Sequence, residues 1–259
     1  MNYLLACHTD TGIRKETNQD SLLMKRAICD GEQLVLAVMC DGMGGLEKGE
    51  LASASLVKAF SKWFEQELPD LMSSTQLETE ILKSWDHLIK QMNQKISDYG
   101  RNHGLKLGTT LTAMLFIGKV YYIAHVGDSR AYELTDTIYQ LTKDQTLVQR
   151  EVDQGKLTPE QAETDSRRSV LLQCVGALDE VEPVYIKGEI RQDAVYMLCC
   201  DGFRHVLSGN EMYQAFHPAS LLDESTMESR CRQLVELNKE RGELDNISVL
   251  VIRTWQGEE

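Results

Sequence analysis

Three aspartates stand at the ends of apolar runs that are typical of buried strands. Asp41 follows LVLAVMC, Asp201 follows YMLCC, and Asp245 precedes ISVLVI by one residue. If the strand after Asp245 runs antiparallel to the other two, all three carboxylates emerge at the same edge of a sheet. Clustered carboxylates repel one another, whereas hard divalent cations such as Mg²⁺ and Mn²⁺ prefer oxygen ligands. The pattern therefore predicts a divalent-metal site.

Glycines and a fourth acid strengthen this prediction. Gly42 can direct its carbonyl toward a metal, and Gly44 and Gly45 allow backbone conformations that side chains forbid. Asp128, within AHVGDSR, follows another predicted strand and could join the group. An isolated Asp-Gly pair is more often a simple turn, so it is the combination of motifs that indicates a metal site.

Length, composition and charge limit the possible functions. The chain has 259 residues, 42% of them hydrophobic, which is enough for the core of one compact domain spanning residues 1–259. Its net charge of −13 disfavours nucleic acid and anionic membranes as partners. No stretch approaches the ~20 apolar residues of a membrane helix, and the N-terminus lacks the basic flank of a signal peptide. We therefore expect a cytoplasmic protein.

Hydrophobic periodicity predicts an α+β fold, because strands lie at both ends of the chain with helices between them. Apolar runs predict strands near 34–40, 110–117, 119–126, 130–134, 184–190, 195–200 and 247–253. Helices are expected at 49–68, 76–99 and 226–239, with a shorter helix that begins after Thr158 in a capping box closed by Gln161.

The helix predicted at 76–99 carries one apolar stripe, and Gly100 is expected to end it. The stripe steps by three or four residues through Leu77, Ile81, Trp85, Leu88, Met92, Ile96 and Tyr99.

Several motifs occur in an order that resembles a known family. TDTGIRKETNQD, CDGMGG, GTTLTAMLF, AHVGDSRAYEL, LTKDQTLV, CCDGF and LDNISVLV follow one another over residues 9–252. This set resembles the metal-dependent serine/threonine protein phosphatases of type 2C, the PPM family, in their compact bacterial form. The resemblance implies a four-layer α-β-β-α sandwich, with two antiparallel sheets flanked by helices and a two-metal centre at one end.

The resemblance also implies metal ligands. By position, Asp41 corresponds to the carboxylate that bridges two Mn²⁺ or Mg²⁺ ions, and Gly42 to the carbonyl ligand of the second ion. Asp201 and Asp245 correspond to ligands of the first ion. Asp128 corresponds to an acid that, together with Asp201, holds a third and weaker metal in bacterial relatives.

Other site positions match the family less closely. Asp20 stands where the family has an acid that contacts metal-bound water, so Asp41 and Asp20 are the expected catalytic acids. The position of the family's phosphate-binding arginine is Lys15, with Arg14 beside it. If the segment is a strand, only one of the two can face the site, and we favour Lys15. Gln19 replaces a glutamate, which predicts weaker affinity at the second metal.

A further departure concerns the leaving-group acid. Met43 stands where some family members have a histidine proposed as that acid, and no replacement is evident in the sequence. His125 is expected to pack within a strand near the site.

The implied function is hydrolysis of phosphoserine and phosphothreonine on proteins by a metal-activated water, opposing a serine/threonine kinase. A variable flap is expected at about 145–175, where Arg167 and Arg168 could meet acidic substrate residues or remain solvated. Two alternatives stay open at this point: a phosphoesterase acting on small molecules, and a pseudophosphatase that binds phosphoproteins without turnover. The retained acids Asp41, Asp201 and Asp245 oppose the pseudophosphatase.

Overall fold

Two antiparallel sheets of five strands each form the centre of the computed structural model, which describes residues 1–29, 31–43 and 48–256. The strands are β1 (Asn2–Asp10), β2 (Ser21–Cys29), β3 (Glu32–Cys40), β4 (Leu111–Ile117), β5 (Val120–Val126), β6 (Arg130–Leu134), β7 (Ile138–Gln140), β8 (Val184–Glu189), β9 (Val195–Cys199) and β10 (Ile247–Trp255). The first sheet has the order β1-β10-β9-β6-β7, and the second has the order β2-β3-β4-β5-β8.

Helices cover the outer faces of both sheets. They are α1 (Gly49–Gln66), α2 (Leu68–Leu71), α3 (Leu77–His103), α4 (Leu147–Asp153), α5 (Pro159–Thr164), α6 (Asp201–Arg204), α7 (Gly209–Ala215) and α8 (Glu224–Glu240), with a 3₁₀ turn at Pro218–Ser220. Helices α1 and α3 pack on the second sheet, and α8 packs on the first. The predicted four-layer α-β-β-α sandwich is thereby confirmed. None of the helices in the described part of the chain is long and apolar enough to cross a membrane.

Strand β3 shows why the central strands are continuously apolar. Val35, Ala37 and Met39 face the other sheet, whereas Leu36 and Val38 belong to the core beneath α1 and α3. A strand covered on both faces has no solvent side, so it does not alternate between apolar and polar residues. This double burial fixes the end of β3, and with it the position of Asp41.

Three strands were not predicted from the sequence: β1, β2 and β7. All three are edge strands. Edge strands are partly exposed, so they carry polar and charged residues instead of continuous apolar runs. The burial pattern of β2, in which no residue is fully buried, illustrates this.

The end of α3 also differs from the prediction. Gly100 was expected to stop the helix, but the helix continues to His103 and ends at Gly104, which has φ of 66°. Gly100 is buried inside the helix. A Cβ at this position would lie only 2.7 Å from the carbonyl oxygen of Leu105, so the close packing requires glycine. Its role is close packing, and it does not break the helix.

The apolar stripe of α3 is partly as predicted. Ile81, Trp85 and Ile96 are buried, but Tyr99 is 43% exposed. Trp85 lies at the centre of an aromatic cluster, with ring centroids 5.4 Å from Trp63 and 5.7 Å from Phe60. The structure therefore separates core positions from a surface position on the same helix.

We predict that Trp85→Ala lowers the free energy of unfolding by about 3–5 kcal/mol, because it leaves a cavity in the aromatic cluster. Tyr99→Ala, on the exposed face of α3, should change it by less than about 0.5 kcal/mol. Urea unfolding of the two variants checks this, and equal losses would contradict the assignment of the buried face.

Candidate active site

Acidic residues from both sheets meet at one end of the sandwich. Asp201 follows β9 and Asp245 precedes β10, which are antiparallel neighbours in the first sheet, whereas Asp41 follows β3 in the second sheet. The prediction that all three emerge at the edge of one sheet is therefore wrong. The site lies where the ends of two stacked sheets come together. Asp20 precedes β2 and Asp128 follows β5 at the same end of the second sheet.

The five acids lie close enough for their charges to act on one another. Burial raises the pKa of Asp41 well above its usual value, and the negative charges of Asp20, Asp201, Asp128 and Asp245 raise it further. Carboxylates act on one another in this way only when they share a poorly solvated space. The structure thus brings together every acid that the sequence assigned to the site.

Asp20 provides the clearest indication that this site suits a cation. It is buried, and neither carboxylate oxygen has a partner that meets hydrogen-bond geometry, although Ser248 and Cys200 lie close enough to lower its pKa. Burial, with the charges of Asp201 and Asp245, raises its pKa to about 7. One oxygen each of Asp20 and Asp41 and the sulfur of Cys200 lie within 4.8 Å of one another. A buried carboxylate without a donor is costly, so the oxygens of Asp20 and Asp41 fit a hard divalent cation, whereas the thiol of Cys200 is not a ligand that such a cation prefers.

Backbone contacts hold Asp41 and Gly42 in place. The N–H of Asp41 donates to Thr110 Oγ1 at 2.9 Å, and the N–H of Thr110 donates to the carbonyl of Asp41 at 2.8 Å. The N–H of Gly42 donates to the carbonyl of Gln19 at 3.1 Å. A Cβ on Gly42 would lie 2.6 Å from that carbonyl oxygen, so the close approach requires glycine. Gly44 and Gly45 lie outside the described residues.

Asn246 fastens the N-terminal loop to the site. Its Nδ2 donates to the carbonyls of Thr11 at 2.9 Å and Thr17 at 3.2 Å, and its Oδ1 accepts from the N–H of Gln19 at 2.9 Å. The residue is only 3% exposed. One neutral side chain thereby connects the start of β10 to the segment that carries Asp20. The sequence analysis did not identify it, although it directly follows Asp245.

The two candidate phosphate-binding residues lie in this loop. Arg14 and Lys15 occupy a turn after β1 instead of a strand, so the expectation of strand alternation is wrong here. Lys15 Nζ lies 2.9 Å from Asp245 Oδ1, whereas Arg14 is exposed. Only Lys15 therefore contacts the acidic cluster.

Gln19 points toward helix α1. Its Nε2 lies 3.5 Å from Glu50 Oε2, and its backbone carbonyl accepts hydrogen bonds from Gly42 and, at 2.6 Å, from Ser53 Oγ. A glutamate thus stands next to the amide that replaces the family's acid. Met43 lies beside the site without a titratable group.

The chain matches the protein phosphatase 2C family over residues 10–237. It belongs to that family.

Similar proteins include named phosphatases. PstP, a serine/threonine protein phosphatase of Mycobacterium tuberculosis, is 32% identical over 248 residues, which cover 95% of this chain and 44% of PstP. The chain therefore spans less than half the length of PstP. PhpP, a protein phosphatase of Streptococcus pneumoniae, is 29% identical over 251 residues, which cover 94% of each chain. A solved structure of the PstP catalytic domain in complex with two manganese ions has a TM-score of 0.79 and 30% identity, and the match covers 98% of this chain and 100% of that one.

In this phosphatase 2C chain, His205 links two of the predicted ligand positions. Its Nε2 lies 3.3 Å from Asp201 Oδ2, and its Nδ1 lies 3.4 Å from Glu243 Oε2. Glu243 Oε1 in turn accepts the N–H groups of Leu244 at 2.8 Å and Asp245 at 2.9 Å. This contact was not predicted from the sequence, although a spacing of four residues from Asp201 at a helix start is typical of side chains that meet.

A buried arginine stands beside Asp128. Arg204 Nη2 lies 3.2 Å from the carbonyl oxygen of Asp128 and 3.9 Å from its carboxylate. It also lies 3.4 Å from Asp144, which accepts two hydrogen bonds from Arg130 at 2.8 Å each. Burial and the charge of Asp201 nevertheless raise the pKa of Asp128 to about 7. The positive charge of Arg204 lowers the pKa of Asp128, but it does not offset the effect of burial and of Asp201.

His125 packs within β5 as predicted. Its Nδ1 lies 3.1 Å from Thr112 Oγ1, and its Nε2 lies 3.1 Å from the carbonyl of Lys143. Burial lowers its pKa to about 4, so it is neutral near pH 7 and ties β4, β5 and the flap together.

We predict that Asn246→Ala destabilises the protein by roughly 2–4 kcal/mol, because it leaves one partly buried N–H and two carbonyls without partners. Asn246→Asp keeps the acceptor for Gln19 but turns a carboxylate toward the two carbonyls and adds charge to the acidic cluster, so it should destabilise at least as much. Thermal unfolding in chelator measures this. Equal stability of Asn246→Ala and the wild type would contradict the role of Asn246 as the fastener of the loop.

A second prediction concerns pH. Because the pKa of Asp20 is raised when the protein is folded, its contribution is fully present below its unfolded pKa and is lost as pH rises through about 7. In chelator, the free energy of unfolding should fall between about pH 4 and pH 7, and Asp20→Asn should reduce this fall by roughly 2–4 kcal/mol. The exposed Asp70→Asn is the control. Parallel pH curves for Asp20→Asn and the wild type would refute the prediction.

Proposed function

We propose that the protein is a metal-dependent phosphatase that hydrolyses phosphoserine and phosphothreonine on proteins. One observation carries the proposal: five carboxylates, three of them buried, lie at the joined ends of the two sheets, and neither oxygen of the buried Asp20 has a partner that meets hydrogen-bond geometry. Membership of the phosphatase 2C family and the named phosphatases among its relatives support the same reaction.

The cofactor that we propose is a pair of Mn²⁺ or Mg²⁺ ions. Asp41, Gly42, Asp201 and Asp245 would hold them, and Asp128 with Asp201 would hold a third. The manganese ions in the PstP structure support this assignment. When bound, such cations activate water for attack on phosphorus and neutralise charge on the phosphoryl oxygens.

The chain's own residues would bind and orient the reactants. Lys15, rather than the exposed Arg14, would bind the phosphoryl group, since its ammonium already lies against Asp245. It would do so as a point charge, because lysine lacks the bidentate fork of arginine. Asp41 and Asp20 would act as the catalytic acids, with Asp20 orienting the attacking water through its unpartnered oxygens.

The biological setting is part of the proposal. We propose that residues 1–259 form one catalytic domain with a flap at about 145–175, acting on phosphoproteins and opposing a serine/threonine kinase. The seven cysteines are free thiols, which is typical of the reducing cytoplasm. The intact acid cluster favours this activity over a pseudophosphatase that only binds phosphoproteins.

The test is phosphate release from a phosphothreonine peptide, with Mn²⁺ and with chelator. We expect release only with metal, and a loss of about a hundredfold or more in Asp41→Asn because that variant removes the shared ligand. Asp70→Asn, an exposed acid remote from the site, is the matched control. Absence of release from folded, metal-loaded wild-type protein would favour the pseudophosphatase.

A further inference from the structure

One histidine stands between the segments that carry Asp201 and Asp245. Asp201 begins the short helix α6, and His205 directly follows the end of this helix. The Nε2 of His205 lies 3.3 Å from Asp201 Oδ2, and its Nδ1 lies 3.4 Å from Glu243 Oε2. The imidazole ring therefore connects a proposed metal ligand to a carboxylate that is not part of the acidic cluster.

Glu243 continues this connection to the backbone of Asp245. It is only 7% exposed. Its Oε1 accepts from the N–H groups of Leu244 at 2.8 Å and Asp245 at 2.9 Å, whereas its Oε2 faces His205. The N–H of Glu243 donates to the carbonyl of Asn238, near the end of α8, at 3.0 Å. Both carboxylate oxygens of Glu243 are thus engaged, one toward each of the two segments.

The strand ladder alone does not fix the separation of Asp201 and Asp245. The pairing of β9 with β10 ends at Cys199 and Val249. Asp201 lies two residues after Cys199, and Asp245 lies four residues before Val249. Because both aspartates are proposed ligands of the same ion, contacts outside the ladder must hold them at a constant separation. The contacts through His205 run from one of them to the other.

Contact with one oxygen of a carboxylate orients that carboxylate as a metal ligand. His205 lies against Oδ2 of Asp201, so Oδ1 remains for a cation. The side chains of His205 and Asp201 are each 11% exposed, so water competes little for this contact. Removal of groups that hold metal ligands in this way typically costs roughly tenfold to a hundredfold in metal affinity or activity.

The alternative is a purely structural role, and the chain offers a control for it. Arg241 joins the same two segments, because its Nη1 donates to the carbonyl of Val206 at 2.7 Å and to Glu211 Oε2 at 3.1 Å. These contacts include no acid of the acidic cluster. Loss of Arg241 should therefore weaken the connection between the segments without altering a ligand.

We propose that His205 and Glu243 are positioning residues for one metal ion of the site. His205 orients the carboxylate of Asp201, and Glu243 fixes the backbone that carries Asp245. Each of the two residues acts through a ligand and does not bind the metal itself. The proposal rests on the proposed function, because it takes Asp201 and Asp245 to be metal ligands.

The experiment measures the dissociation constants for Mn²⁺ by isothermal titration calorimetry of metal-free protein, together with urea unfolding in chelator. Two amide variants separate the two contacts of His205. The amide nitrogen of His205→Gln can take the place of Nε2 and keep the contact with Asp201, whereas that of His205→Asn can take the place of Nδ1 and keep only the contact with Glu243. We expect His205→Asn to raise one dissociation constant by about tenfold or more, and His205→Gln to restore most of the affinity.

Variants of Glu243 separate position from charge. Glu243→Gln loses the negative charge but keeps an oxygen for the N–H groups of Leu244 and Asp245, whereas Glu243→Ala loses both. We expect Glu243→Ala to weaken Mn²⁺ binding by about tenfold and Glu243→Gln to stay close to the wild type. Arg241→Gln is the matched control, and it should lower the free energy of unfolding in chelator while Mn²⁺ binding stays unchanged.

The outcomes separate the positioning role from the proposed function. Variants that bind Mn²⁺ as tightly as a wild type that binds Mn²⁺ and releases phosphate from the phosphothreonine peptide would overturn the positioning role alone. Equal weakening in both variants of His205, or in both variants of Glu243, would also overturn it, because the effect would not follow the contacts. Affinities in the expected order without any phosphate release would support the positioning role and overturn the proposed function. Failure of the folded wild type to bind Mn²⁺ would overturn both.

Discussion

Repulsion among buried carboxylates is the constraint on which the rest of the structure depends. Asp41 and Asp20 lie at the centre of the cluster, where the neighbouring groups that raise their pKa values are also acids. Such an arrangement opposes folding of the metal-free chain. Two hydrophobic cores, one between the sheets and one beneath α1 and α3, must offset it. The acids are held by the ends of buried strands because flexible segments would separate them.

Cations stand at the rim of this cluster. Lys15 pairs with Asp245 on one side, and Arg204 approaches Asp128 on the other. The centre is organised instead by a neutral group, since Asn246 ties the N-terminal loop to β10 without adding charge. A basic residue at the centre would neutralise the charge of the acids, which would then no longer need a metal ion to compensate it. Asn246 thus orders the loop, and the negative charge of the acids remains available for a metal ion.

The sequence predicted the parts of this design that have a local signature. Continuous apolar runs identified β3, β9 and β10 with their terminal acids, because strands buried on both faces carry few polar residues. Edge strands β1 and β2 escaped because they are half exposed. The contact of His205 with Glu243 and those of Asn246 with the N-terminal loop join chain segments far apart in sequence, so no spacing could reveal them. The prediction that α3 ends at Gly100 was wrong, because this glycine is required for close packing against Leu105 and does not end the helix.

Asp128 lies between the acidic cluster and the flap. The charge of Asp201 raises the pKa of its carboxylate, and the same residue lines a cavity beside the flap. Arg204 lies against Asp128 and is itself paired with Asp144, and the flap is hydrogen-bonded to the backbone one residue before Asp128. A shift of the flap would therefore also move Asp128, an acid of the cluster.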